Sequence, residues 1–196
     1  MITPNKREYR SFEFEVVDEE KMIVEGRAVV FNTPTVIYEY DGIKYYEIVD
    51  RHAFDNANMS DVVFVENHTG TPGARTRNKT LQIPILEDGV YARAELYKSS
   101  KGPAMYSDIK NEIYDRMSFS FTVRKHSYDE KTRTRTILEI DRLYDVSVVT
   151  FPAYEQTSIS ARSFFEAEAE KERMEMRMRE EKKKRLELLI DIERSL

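Results

Sequence analysis

Cysteine is missing from all 196 residues, which removes disulfides, thiolate metal sites and cysteine nucleophiles from consideration. A cysteine-free chain suits a reducing compartment. Histidine is scarce: His52, His68 and His126 are the only three, so any chemistry that needs an imidazole must use one of them. No stretch approaches the roughly 18 consecutive apolar residues of a membrane-spanning helix, and the opening Met1-Ile2-Thr3-Pro4-Asn5-Lys6-Arg7-Glu8 has no apolar signal-peptide core. An excess of positive charge is lacking too. The net charge of -5 argues against a general nucleic-acid binder. Gly70-Thr71-Pro72-Gly73 is not followed by the Gly-Lys-Ser/Thr of a phosphate loop. Asp18, Glu19 and Glu20, like Asp129 and Glu130, read as turn carboxylates, and no metal or cofactor site is expected.

What remains is a chain that is 40% hydrophobic and 34% charged, long enough for one domain with a substantial core and an appendage. Most of it carries the two-residue period of strands. Segments 10–17 and 21–31 alternate around a turn at Asp18-Glu19-Glu20, and 35–40 and 44–50 flank Asp41-Gly42, a strong hairpin signal. His52 to Asn58 suggests a single helical turn. Val62-Val63-Phe64-Val65 reads as a buried strand ending at His68, and Thr69 to Lys79, rich in Gly, Pro and Arg, as a loop. Strands are expected again at 80–86 and 90–97. From Gly102 to Arg116 the period changes: Met105, Ile109 and Ile113 recur every fourth residue, with Pro103 in the first turn, predicting an amphipathic helix. Strands follow to about 127, over 133–141 and from Leu143 to Ala153, the last being the most apolar run, stopped by Pro152.

After about Ala161 the composition changes abruptly. Residues 164–194 are dominated by Glu, Lys, Arg and Met, contain neither Gly nor Pro, and become apolar only around Leu186, Leu188, Leu189, Ile190 and Ile192. High helix propensity without a sustained heptad predicts a long solvated helix, ordered where a partner covers its apolar end. A charged, partly unstructured tail is the other reading. The fold class is therefore mainly β with helices (α+β) and mostly antiparallel. It comprises a domain over 1–161 and a charged helical tail over 162–196.

The stretch Arg116-Met117-Ser118-Phe119-Ser120-Phe121-Thr122-Val123 has the strongest chemical interest. Alternation puts Ser118, Ser120 and Thr122 on one face and the apolar residues on the other. Such a hydroxyl row is either a solvated strand face or the seat of a nucleophile. A serine hydroxyl needs a base within hydrogen-bond reach, and the base gains from a carboxylate that orients it. Sequence spacing does not reveal that contact, because the order of such residues varies between folds.

Several blocks together resemble one family, the tailed-phage prohead proteases, capsid-maturation serine proteases similar in fold to herpesvirus assemblin. Val24 to Asn32 resembles the opening strand of that family. Glu66-Asn67-His68, Gly73-Ala74-Arg75, Thr80 to Ile83 and Glu87 to Ala94 resemble its histidine block. Arg116 to Phe121 resembles its nucleophile block, and Leu143 to Ala153 its third block. The matched blocks run in order over about 22–161.

The resemblance implies an antiparallel, β-barrel-like, assemblin-like core. It also implies Ser118 as nucleophile, His68 as general base and Asp145 as the acidic partner where assemblins use a second histidine. Ser120 shares the face of Ser118, and strand geometry alone does not separate them. His126 is the rival third member, or simply an exposed residue. For the oxyanion, Arg75 and more weakly Arg162 are candidates, with a structural role for Arg75 as the alternative. His52-Ala53-Phe54 departs from the family, which has Gly there. Further implications are cleavage of the scaffolding segment of the major capsid protein inside the assembling prohead in the host cytoplasm, self-cleavage or self-association, and neither nucleic-acid nor membrane partners. A different class of function is a non-catalytic assembly factor acting through the C-terminal helix.

Overall fold

A computed structural model of the chain describes residues 8–12, 14–98, 101–150 and 159–195. Eleven strands and two helices are distinguished among them. The strands are β1 (Glu8–Phe12), β2 (Phe14–Asp18), β3 (Ile23–Val30), β4 (Thr35–Tyr40), β5 (Ile43–Val49), β6 (Val63–Glu66), β7 (Thr69–Arg75), β8 (Leu81–Gln82), β9 (Gly89–Glu95), β10 (Arg116–Asp129) and β11 (Thr134–Val149). Helix α1 spans Lys101–Lys110 and α2 spans Ile159–Ser195.

The strands form two sheets. One has the order β1-β10-β11-β5-β4, with β6 added to β11 and β7 to β6; the other runs β2-β3-β9-β8. The long hairpin β10–β11 is the spine. Along its free side β11 is parallel to β5 at its start (Thr134 to Ile137) and to β6 near its end (Asp145 to Val148). Between them, Asp50 to Asn58 follows the same edge: Asp50 N–H donates to Ile137 O, Ile140 N–H to Ala53 O and Asn58 N–H to Asp141 O. The main core lies where the four-stranded sheet contributes Val24, Ala28, Val29, Val90, Ala92 and Ala94 and the larger sheet contributes Phe64, Met117, Phe119, Phe121, Val146 and Val148.

Most strand pairs are antiparallel, as expected, but the sheets do not close into a barrel. Two segments depart from the expected meander. The single strand expected over 10–17 is two, β1 pairing with β10 and β2 with β3, so the chain changes sheets within it. The loop expected over 69–79 is largely strand β7, paired to β6. Pro72 is tolerated there because it falls in the irregular stretch between the Phe64–Ala74 and Glu66–Thr69 pairs, where the β6–β7 register shifts. At Gly73 a Cβ would lie 2.7 Å from Met105 Sδ and 3.1 Å from Leu96, so the ends of those side chains pack directly against the β7 backbone.

Other differences are smaller. Asp50 to Ala57 forms successive hydrogen-bonded turns without a helix. The strand expected over 80–86 is confined to Leu81–Gln82 plus a bridge from Ile85 to Val90. The expected helix over 102–116 stops at Lys110; Glu112 is left-handed (φ 58°) and Ile113 exposed, while Met105, Tyr106 and Ile109 are buried. Asp41 and Gly42, with φ of 51° and 75°, make the two-residue turn read from the sequence. β11 joins the two segments expected as separate strands. The end of that apolar run, Phe151-Pro152-Ala153, lies outside the described residues.

The first turns of α2 pack on the larger sheet, where Ala161, Phe165 and Ala169 are buried with Ile37 and Tyr45. Burial pushes the Tyr128 hydroxyl well above the usual phenol range, with Glu172 and Glu168 adding to the effect. Arg133 pairs with Glu172 at 3.0 Å, Lys171 with Glu130, and Arg173 lies over the Tyr40 ring. From Met174 to Glu187 every residue is exposed.

Candidate active site

Three elements converge on one polar face of the larger sheet. On β10, Ser118 and Ser120 stand opposite Ser147 and Asp145 of β11, respectively. The opposite face of the same strands carries Met117, Phe119, Val146 and Val148 into the core, so alternation sets the direction of the polar set. The third element is the β6–β7 turn. Because β6 pairs in parallel with the end of β11, this turn arrives beside Ser147 and Val148.

His68 occupies the second position of that turn. Asn67 and His68 have φ of 45° and 59°, the paired left-handed conformation of a tight two-residue hairpin. Asn67 N–H donates to Val148 O at 3.0 Å, and His68 N–H donates to Ser147 Oγ at 3.1 Å. The turn is thus tied by its backbone to the strand that carries Asp145.

The side chains meet. His68 Nδ1 is 2.5 Å from Asp145 Oδ1, and His68 Nε2 is 3.0 Å from Ser118 Oγ. With Asp145 ionised and acceptor-only, Nδ1 carries the proton toward it, leaving Nε2 as the acceptor for the Ser118 hydroxyl. The side chains of Asp145 and His68 are 5% and 19% exposed, and residue Ser118 is 1% exposed. In such a low-dielectric setting, fixed dipoles and charges act more strongly than in water. The hydroxyl row is buried, not solvated, and its members are no longer equivalent: Ser120 Oγ and Thr122 Oγ1 are buried without a hydrogen-bond partner, whereas Ser118 Oγ faces the imidazole.

Residues 10–172 match the family described as caudovirus prohead serine protease. The chain belongs to that family. The prohead protease of Enterobacteria phage HK97 is 30% identical over 153 residues, covering 74% of this chain and 61% of that protein. This chain therefore spans less than two thirds of the length of that prohead protease. The bacteriophage T4 capsid assembly protease, a solved structure, aligns at 12% identity with a TM-score of 0.49, over 76% of this chain and 100% of that one.

The other residues considered for the site lie in different surroundings. His126 accepts a hydrogen bond at Nδ1 from Arg135 Nε (3.0 Å) and meets the Phe164 ring edge-on; it is half-buried beneath the start of α2. His52 is exposed and paired with Asp55 at 3.0 Å. Arg75 donates from Nε and Nη2 to Asp61 (2.6 and 2.7 Å), which raises the proton affinity of the guanidinium and holds the Asp61 carboxyl below its usual range. The Arg162 side chain is outside the described set.

Sequence reasoning missed Ser147. Its hydroxyl is 2.8 Å from Asp145 Oδ1 and 3.1 Å from His68 Nδ1. The available signal was Asp145-Val146-Ser147, whose two-residue spacing puts both polar side chains on one strand face. Among the described residues, no group of three or more His, Asp and Glu side chains converges as a metal site would, and no helix is long and apolar enough to cross a membrane.

Proposed function

We propose that this chain is a serine endopeptidase of capsid maturation in which Ser118 is the nucleophile, His68 the general base and Asp145 the carboxylate that orients it. The supporting observation is the continuous chain of contacts from Ser118 Oγ through both nitrogens of His68 to Asp145. The Ser118 hydroxyl attacks the scissile carbonyl while Nε2 takes its proton. Asp145 remains ionised, accepts the Nδ1 proton in a hydrogen bond and stabilises the imidazolium. The imidazolium then gives its proton to the leaving amine, and a water repeats the sequence to release the acyl group. Since Ser118 is almost fully covered, a local opening precedes attack by a polypeptide.

The family and the HK97 relative support the substrate reading: the scaffolding segment of the major capsid protein, cut within the prohead in the host cytoplasm, with self-cleavage as a second reaction. An assemblin-like organisation of the core belongs to the same reading. The projecting part of α2 serves as the contact with scaffold helices.

Co-expression with the cognate capsid protein tests the catalytic set. Ser118→Ala and His68→Ala are expected to abolish processing, and Asp145→Asn to slow it about ten-thousandfold, through loss of the correct tautomer. Equal processing by wild type and Ser118→Ala would show that Ser118 is not the nucleophile, and absence of processing by wild type would favour the non-catalytic assembly factor.

A further inference from the structure

We propose that Ser147 is a positioning residue that locks the base and its carboxylate into one unit, an inference that rests on the Ser118–His68–Asp145 reading. Ser147 is completely buried on β11, directly across from Ser118 on β10 and beside Val65 on β6. A serine hydroxyl has one proton to give and two lone pairs to offer. Asp145 Oδ1, at 2.8 Å, can only accept, so the Ser147 proton goes there. The His68 backbone N–H, at 3.1 Å, can only donate, so it fills a lone pair of the same oxygen. The third neighbour, His68 Nδ1 at 3.1 Å, directs its proton to the closer Asp145 oxygen at 2.5 Å.

One buried hydroxyl therefore joins the backbone of the base to the carboxylate that holds its ring. Two consequences follow for the chemistry. The left-handed turn at Asn67-His68 is fixed on the histidine side by a side chain as well as by the bond from Asn67 N–H to Val148 O, so the backbone that carries the imidazole cannot move away from β11 without breaking both. Asp145 Oδ1 receives two donors whose directions differ, which fixes the carboxylate in the plane that Nδ1–H requires. Ser147 is not a second nucleophile. Its proton is committed to Asp145, and it lies on the Nδ1 side of the ring, where no lone pair is free to take that proton.

The test uses the purified full chain and a fluorophosphonate, which reacts covalently with activated serines. Mass spectrometry locates the adduct, and saturation kinetics separate the inactivation rate (kinact) from probe binding (KI). Wild type is expected to be labelled on Ser118. Ser147→Ala is expected to lower kinact roughly ten- to hundredfold, the effect of losing a hydrogen bond to a charged group, with KI unchanged. Ser147→Cys, which leaves no cavity but donates weakly, is expected to follow Ala and guards against an effect of the cavity. Unchanged kinact in both variants, with wild type labelled on Ser118, would overturn the positioning role alone. An adduct on Ser147 would overturn it by making that residue the nucleophile. Labelling that survives Ser118→Ala undiminished at another residue would instead remove the reading on which the inference rests.

Discussion

Arg135 shows how single residues fix where elements sit. Its guanidinium pairs with Glu47 at 3.1 Å, donates to His126 at 3.0 Å and lies 5.2 Å above the Phe164 ring. The Arg135 and Glu47 side chains are only 3% and 2% exposed, so each is desolvated and depends on the other. They are also direct neighbours in the parallel β11–β5 pairing, which places both charges at one level of the sheet. Removing one partner of such a pair leaves an uncompensated buried charge. Glu47→Ala is expected to cost about 3–5 kcal/mol of stability in urea denaturation. A loss no greater than that of an exposed substitution would show that the charge finds water. The same contacts explain the placement of His126, which is neither exposed nor near Ser118: it serves as the acceptor for this arginine.

Among the elements, the β10–β11 hairpin carries most of the architecture. Its alternation sends Phe119 and Phe121 into the core, their rings stacked at 4.8 Å, and sends Ser118 and Asp145 to the polar face. The smaller sheet holds to its own close approach at Gly89, opposite Val30, where a Cβ would come within 2.0 Å of the Val29 carbonyl oxygen. That atom is backbone and cannot rotate aside. Gly89→Ala is expected to destabilise by about 1–3 kcal/mol, the range of core overpacking, seen as a lower melting temperature. An unchanged melting curve would show that β3 and β9 can separate without penalty. The strand β7 illustrates the limit of composition: Gly and Pro signal a loop, yet here Gly73 lies against Met105 and Pro72 falls where the β6–β7 register shifts.

At the scale of the molecule, α2 has two halves with different surroundings. Its first turns are fixed by Phe165 and by Arg133, Lys171 and Arg173, and the family match ends at residue 172, close to the last of these contacts. Residues 174–195 then project over about 33 Å of helix at 1.5 Å per residue. Met174, Met178, Leu186, Leu189 and Ile190 are among their exposed apolar side chains. Deleting 177–196 is expected to leave the melting temperature of the β domain unchanged, because the described side chains of that stretch, 177–187 with Leu189 and Ile190, are exposed. It is also expected to reduce incorporation into proheads, measured by the amount of protease in purified shells. Undiminished incorporation would remove the docking role assigned to the tail.

The sequence determined which residues alternate, where hairpins such as Asp41-Gly42 turn, that only three imidazoles exist, and that the composition changes after Ala161. Those are local properties, set by side-chain period and backbone preference. It also named Ser118, His68 and Asp145, through ordered resemblance and not through spacing. Only the tertiary structure decided that they meet, because 50 residues separate His68 from Ser118 and 77 separate it from Asp145. Contact at such separations depends on strand register: Ser118 opposite Ser147 on β10 and β11, and the β6 turn delivered beside Val148 by parallel pairing. Register also distinguishes Ser118 from Ser120 and brings in Ser147, since one face of a strand offers several equivalent hydroxyls until a neighbouring element arrives at one of them.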